Sequence, residues 1–173
     1  MSFIFNKSSN ILFFDSNGSG KSTLSKIISR LDKKYEREVF RDKSTKNNYY
    51  QSSFIYQSSS RDFINGNVIK NITSFNEDYD TQRLENIVDM LKIQKITSKN
   101  IQKISSGEAV LVKIATVLYS GAKLKIYDEL LMNIDTKKRI KVLDIILKQD
   151  SINIVIFYSL KKMKLKNLTK YYL

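Results

Sequence analysis

The chain has 173 residues, the size of one ordinary domain, and 42% of them are hydrophobic, enough for a real core, so disorder of the whole chain is excluded. It contains no Cys and no His, which rules out disulfides, thiol nucleophiles, imidazole bases and soft metal sites, leaving oxygen ligands for any metal. Thirty Lys and Arg against 17 Asp and Glu give a formal net charge of +13, which fits a polyanionic partner such as a nucleotide, a nucleic acid or an acidic membrane surface.

Lys, Asn, Ile and Ser are abundant together, a bias that coding-DNA composition also produces, so clustered charge carries more weight than the total. The densest cluster is Lys161, Lys162, Lys164, Lys166 and Lys170, interleaved with Leu160, Met163, Leu165 and Leu168. Such a run is more often the solvated face of a terminal element than a nucleic-acid or lipid site. The longest apolar runs, residues 11–14 and 152–158, are far shorter than the roughly 20 residues a membrane span needs. Residues 1–10 have no adjoining apolar stretch of signal-peptide length, so the expectation is a chain kept in the cytoplasm.

In chain order, Ile11-Leu12-Phe13-Phe14 predicts a buried strand, and Leu24, Ile27, Ile28 and Leu31 predict a helix after a short Gly/Ser loop. Residues 32–52 are polar without a period, and Phe54-Ile55-Tyr56-Gln57 predicts a second strand. Leu84, Ile87, Val88 and Leu91 form one apolar helix face. Ser105-Ser106-Gly107-Glu108 opens another helix, with Val110, Leu111, Ile114, Val117 and Leu118 as its stripe and Gly121 as its stop. A strand over residues 124–127, a helix over 136–147 with Ile140, Leu143 and Leu147 on its apolar side and Val142 and Ile146 widening it, and a strand over 152–158 complete the pattern. Apolar strands alternating with helices predict an α/β fold with a mainly parallel sheet covered on both faces. No repeat, linker or low-complexity tract divides the chain, so residues 1–173 read as a single domain.

Asn17-Gly18-Ser19-Gly20-Lys21-Ser22-Thr23, between a strand and a helix, is most of a Walker A loop. In such a loop backbone N–H groups and the helix N-terminus cradle phosphates, Lys21 reaches the β and γ phosphates, and Ser22 ligates Mg²⁺. The Gly that opens this pattern is replaced by Asp15. Asp128-Glu129, directly after an apolar strand, has the form of a Walker B end: the first carboxylate holds Mg²⁺ through water, and the second orients the attacking water as general base.

Ser105-Ser106-Gly107-Glu108 resembles the signature L-S-G-G-Q/E of ATP-binding cassette (ABC) proteins, with Ile104 for Leu and Ser106 for the first Gly. Its distance ahead of Asp128, with the amphipathic helix in between, is also similar to that of ABC signatures. Other features are similar to that family in the same order. Gln57 stands where the Q-loop glutamine does, Asp135 where the D-loop Asp does, and residues 64–72 resemble the "nGTIreNI" stretch of exporter-type cassettes, peptide and bacteriocin exporters among them. The resemblance implies a P-loop NTPase with an ABC ATPase core, a mainly parallel sheet flanked by helices, and a small helical subdomain at about 62–107. It implies ATP and Mg²⁺ as cofactors, with Asn17, Gly18, Ser19, Gly20, Lys21, Ser22 and Thr23 on the phosphates and Ser22, Gln57 and Asp128 on the metal. Glu129, Lys21 and Gln57 would carry catalysis, Ser105, Ser106 and Gly107 would close on the nucleotide of a second cassette, and Tyr158 falls at the position of the switch histidine.

The function this implies is an ATP-hydrolysing subunit of an ABC exporter of a peptide or related compound. It would pair head to tail with a like or unlike cassette, work with a separate transmembrane permease, and sit on the cytoplasmic face of the cell membrane. Asp15, Ser106 and Tyr158 together imply slow turnover. Two alternatives are a degenerate cassette that binds ATP in a regulatory or structural role, and a non-transport ABC ATPase acting on nucleic acid or ribosomes. The latter is disfavoured because such relatives generally carry coiled coils or a second cassette. The chain is expected to be shortened at both ends. Lys21 follows Met1 too closely to leave room for the strand pair that brings an adenine-stacking aromatic, and residues 170–173 resemble the last core strand.

Overall fold

A computed structural model describes residues 9–14, 20–28, 52–55, 63–76, 78–157 and 169–172. Five strands, β1 (Asn10–Phe14), β2 (Ser52–Ile55), β3 (Leu124–Asp128), β4 (Ile152–Phe157) and β5 (Thr169–Tyr172), form one sheet in the order β2-β3-β4-β1-β5. β4 pairs in parallel with both β1 and β3, and β1 pairs in parallel with β5. The register sets Ile11 beside Ile154, Phe13 beside Ile156, and Ile126 beside Ile154. Since strand side chains alternate between faces, these residues share one face, where they form a buried cluster. Leu24 and Ile28 of helix α1 (Lys21–Ile28) pack on it.

Leu12, Tyr127, Val155 and Phe157 alternate with that set, lie on the opposite face, and are buried too. Burial on both faces is the reason the strands read as unbroken apolar runs. β2 starts two residues before the expected strand, and Tyr56 and Gln57 lie outside the described residues, as do Leu31 and Tyr158.

The chain divides into two compact units: the sheet unit draws on residues within 1–54, 122–129 and 150–173, and the helical unit on residues within 55–121 and 130–149. The helical unit holds α2 (Val68–Thr73), α3 (Thr81–Leu91), α4 (Ser106–Tyr119) and α5 (Thr136–Leu147). It reaches well past the expected 62–107. The cause is α4, buried nearly all round from Val110 to Tyr119 and packed on α2 and α3. α3 buries the expected stripe, Leu84, Ile87, Val88 and Leu91. Asp80 caps its N-terminus by accepting the Arg83 N–H at 2.9 Å.

Two local features differ from the sequence expectation. α2 is a helix that periodicity did not signal. The Asn67 side chain caps it, and the buried Asn71 amide donates to the carbonyls of Ile64 at 3.0 Å and Asn67 at 2.9 Å. In α5 the bounds and the buried Val142, Leu143 and Ile146 are as expected, but Ile140 is 48% exposed and Leu147 only half-buried. Arg139 lies on the same side as the buried three: its Nη2 donates to the carbonyls of Met132 and Ile134, each at 3.1 Å, so the inward face runs through 139, 142, 143 and 146. No helix among the described residues is long and apolar enough to cross a membrane.

Candidate nucleotide site

In a parallel sheet, ligands sit beyond the carboxyl ends of the strands. Two of those ends carry the predicted phosphate chemistry. After β1, Gly20 adopts φ +88°, a left-handed conformation that glycine enters without a Cβ penalty, and its carbonyl accepts the Leu24 N–H at 2.8 Å as α1 begins. Lys21 and Ser22 occupy the first two positions of α1, and Thr23 follows, half-buried. The N–H groups of that first turn point out of the N-terminus of α1, and a helix N-terminus favours an anion. Asp15, Asn17, Gly18 and Ser19 lie outside the described residues.

At the end of β3, Asp128 is 4% exposed and in register with Ile156 of β4. Glu129 follows with φ +53°, one of two non-glycine residues in the left-handed region among those described, and its backbone N–H donates to the Ile156 carbonyl at 3.1 Å. The other, Lys92, ends α3, where this conformation is customary. For Glu129 the conformation costs about 1 kcal/mol, and strain of this kind collects at functional sites. β4 lies between β1 and β3. The carboxyl ends of β1 and β3 therefore lie at the same end of the sheet, two strand spacings or about 10 Å apart.

Tyr127 precedes this pair on the opposite face, fully buried, and its hydroxyl finds no hydrogen-bond partner among the described residues. Burial pushes its ionisation far upward, so it stays a neutral phenol and is no proton carrier. Among the described residues there is no cluster of three or more acidic side chains to cage a metal. Asp128 brings one buried carboxylate to the end of β3, an oxygen ligand of the kind Mg²⁺ takes.

The helical unit carries the signature. Ser105 caps α4 and forms a reciprocal box with Glu108: the Glu108 N–H donates to Ser105 Oγ at 3.3 Å, while Glu108 Oε2 accepts the Ser105 N–H at 2.7 Å and its hydroxyl at 2.9 Å. Lys99 Nζ stands 3.5 Å from Glu108 Oε1. These partners, the Ser105 N–H foremost, hold the Glu108 carboxyl below its usual 4.5. Ser106 is exposed in the first turn, and Gly107 lies against Ile134, whose Cγ2 would stand 4.0 Å from a Cβ placed there. Asp135 caps α5 by accepting the Lys138 N–H at 3.0 Å, with its side chain largely exposed.

The sheet unit thus gathers the described Walker A and Walker B residues, and the helical unit gathers the signature and Asp135. Gln57 and Tyr158 lie outside the described residues. A cleft of about 300 Å³ beside α3, lined by Asp80, Arg83, Met90 and Leu118 among others, contains none of the expected site residues. Sequence reasoning missed Lys99 and the capping roles of Glu108 and Asp135. The pattern Ser-x-x-Glu at 105–108 was the available signal for the box.

A strand, a glycine turn and a helix opening on Lys21-Ser22, with an acidic pair closing a second parallel strand of the same sheet, define a P-loop nucleotide-binding α/β domain. Residues 1–132 match the model of the ABC transporter family, and the chain belongs to that family. It is 32% identical over 142 residues to the energy-coupling factor transporter ATP-binding protein EcfA1 of Mycoplasmopsis synoviae, a match covering 75% of this chain and 53% of that protein. It is 27% identical over 135 residues to the sn-glycerol-3-phosphate import ATP-binding protein UgpC of Bartonella bacilliformis, covering 70% of this chain and 38% of that one. The chain therefore spans about half or less of the length of these relatives. Among solved structures it resembles cbiO1 from Clostridium perfringens, described as part of the ABC transporter complex cbiONQ, with TM-score 0.74, 19% identity, and 92% of this chain and 70% of that chain covered. That likeness bears on the fold, which is the ABC ATPase fold expected from the motifs.

Proposed function

We propose that the chain is the ATP-binding and ATP-hydrolysing subunit of an ABC transporter, acting with a separate membrane permease and a second cassette. The observation that carries this is the pair Asp128 and Glu129 at the carboxyl end of β3, with the strand that leads to Gly20 and Lys21 ending at the same end of the sheet. The α1 N-terminus and Lys21 bind the phosphates of ATP, with Gly18 and Gly20 giving the backbone its close approach. Asp128 and Ser22 would hold Mg²⁺, which neutralises charge on the phosphates when bound. Glu129 orients the attacking water and accepts its proton. Ser105, Ser106 and Gly107 present the α4 N-terminus to the nucleotide of the second cassette, and Asp135 lies at that pairing surface. Gln57 and Tyr158 would touch the metal side and the γ-phosphate, Tyr158 with a hydroxyl in place of an imidazole.

Cargo and direction rest on different observations. The exporter reading, with a peptide as cargo, is supported by residues 64–72. The second reading, uptake, is favoured by the names of the sequence relatives, one an energy-coupling factor protein and one an import protein. A pull-down of the tagged chain from native membranes in mild detergent with Mg-ATP tests the core proposal. Recovery of a polytopic permease is expected, and recovery of nucleic-acid machinery alone would overturn the transporter role. Radiolabelled-peptide flux in vesicles containing the recovered permease then distinguishes export from uptake.

A further inference from the structure

The start of α4 is already occupied by a carboxylate of its own chain. A single oxygen of Glu108, Oε2, takes both donors that Ser105 has, its N–H at 2.7 Å and its hydroxyl at 2.9 Å. This sets a negative charge at the positive end of a 14-residue helix. Those are the donors, and that is the field, which a phosphoryl oxygen would use in the pairing described above. The hydroxyl has one proton to give, and two anionic oxygens within reach of it repel each other. The Ser105 hydroxyl therefore cannot serve Glu108 and a phosphate together, although the Ser105 N–H can stay with Glu108.

We propose that Glu108 is an internal competitor for the phosphoryl group at Ser105, and that closing on nucleotide requires this carboxylate to leave the serine hydroxyl. The inference rests on the pairing reading of the signature. Lys99 supplies the carboxylate's alternative partner. Its Nζ already stands 3.5 Å from Oε1, its side chain is about half exposed, and it belongs to the turn preceding α4 rather than to α4 itself. Glu108 can then pivot off Ser105 while keeping its ion pair. The contact thereby sets how much ATP is needed to bring two cassettes together. Charge is the feature that matters, because glutamine at 108 keeps an oxygen for the Ser105 N–H but holds the Ser105 hydroxyl less strongly than a carboxylate does.

The test uses the full chain carrying Glu129→Gln, so that ATP is not consumed, and follows its association by sedimentation as Mg-ATP is raised. Adding Glu108→Gln is expected to lower the ATP needed for association about tenfold. Adding Ser105→Ala to that variant removes the gain, because the gain acts through the hydroxyl. Lys99→Met raises the ATP requirement, because the departing carboxylate loses its partner. Melting curves confirm that each variant is folded. Equal association with Glu and Gln at 108, or a gain that survives loss of the Ser105 hydroxyl, overturns the competitor role and leaves pairing intact. No association of the Glu129→Gln chain at any ATP concentration overturns the pairing reading and this inference with it.

Discussion

Two glutamates stand at element ends in this chain and are held in opposite ways. Glu108 sits in a helix cap whose partners are close by in sequence, and its carboxylate is satisfied by Ser105 and Lys99. Glu129 sits just past a strand, with its backbone in the left-handed region and its N–H donated to Ile156 on the neighbouring strand, far along the chain. The first arrangement is relaxed and local, and any helix beginning Ser-x-x-Glu can form it. The second is strained and long-range, and it exists only while β3 and β4 keep their register. Strain persists where surrounding structure over-determines it, and here the over-determining structure is the central parallel pair of the sheet.

The largest test of the contrast is Glu129→Gln. It leaves the backbone as it is and removes the base, so single-turnover ATP hydrolysis should fall by about 10² to 10⁴ while the melting temperature scarcely moves. Hydrolysis unchanged by this substitution would deny Glu129 its role. Ser105→Ala, unlike Glu129→Gln, should also cost stability, about 1 kcal/mol through loss of the cap, seen as a fall in melting temperature of roughly 2–4 °C.

Glycine and alanine at position 129 separate the two ways of holding a glutamate. At an ordinary exposed site alanine is at least as stable as glycine, but here glycine should be the more stable by about 1 kcal/mol in urea unfolding, since only it escapes the left-handed penalty. An alanine variant as stable as the glycine variant would mean that the turn carries no strain. The smallest expected effect is the pH response of Glu108. Its carboxyl is lowered from 4.5, chiefly by the Ser105 N–H, so its stabilising contribution is present above 4.5 and is lost as pH falls through the lower folded value. Urea midpoints measured from pH 6 downward should drop more steeply in the native chain than in Glu108→Gln.

Much of the scaffold was legible because its signals are local. The stripe Leu84, Ile87, Val88, Leu91 has one periodicity and one solution, and α3 buries those four residues. The bounds of α5 and the stop at Gly121, which adopts φ +68° beyond α4, were equally readable. α2 was not, because Val68, Ile69, Ile72 and Thr73 are β-branched and resemble a strand, while the contacts that hold the helix come from Asn67 and Asn71. Ile140 misled for a similar reason. Its spacing to Leu143 and Leu147 is helical, yet the helix turns Val142, Leu143, Ile146 and the hydrogen-bonded Arg139 inward, which leaves Ile140 facing solvent.

At the candidate site, the placement of the proposed residues was readable from residue order alone: Lys21 and Ser22 opening a helix after a glycine, Asp128 and Glu129 after an apolar run, and a serine opening a long helix. These follow from short spacings, in which backbone geometry leaves few alternatives. Three further features came from the folded chain: β4 separates β1 from β3, a carbonyl on the neighbouring strand holds Glu129 in a left-handed conformation, and Glu108 answers to Lys99 as well as to Ser105. Strand order and side-chain pairing between distant segments depend on which buried surfaces find each other, and no local pattern of residues encodes that choice.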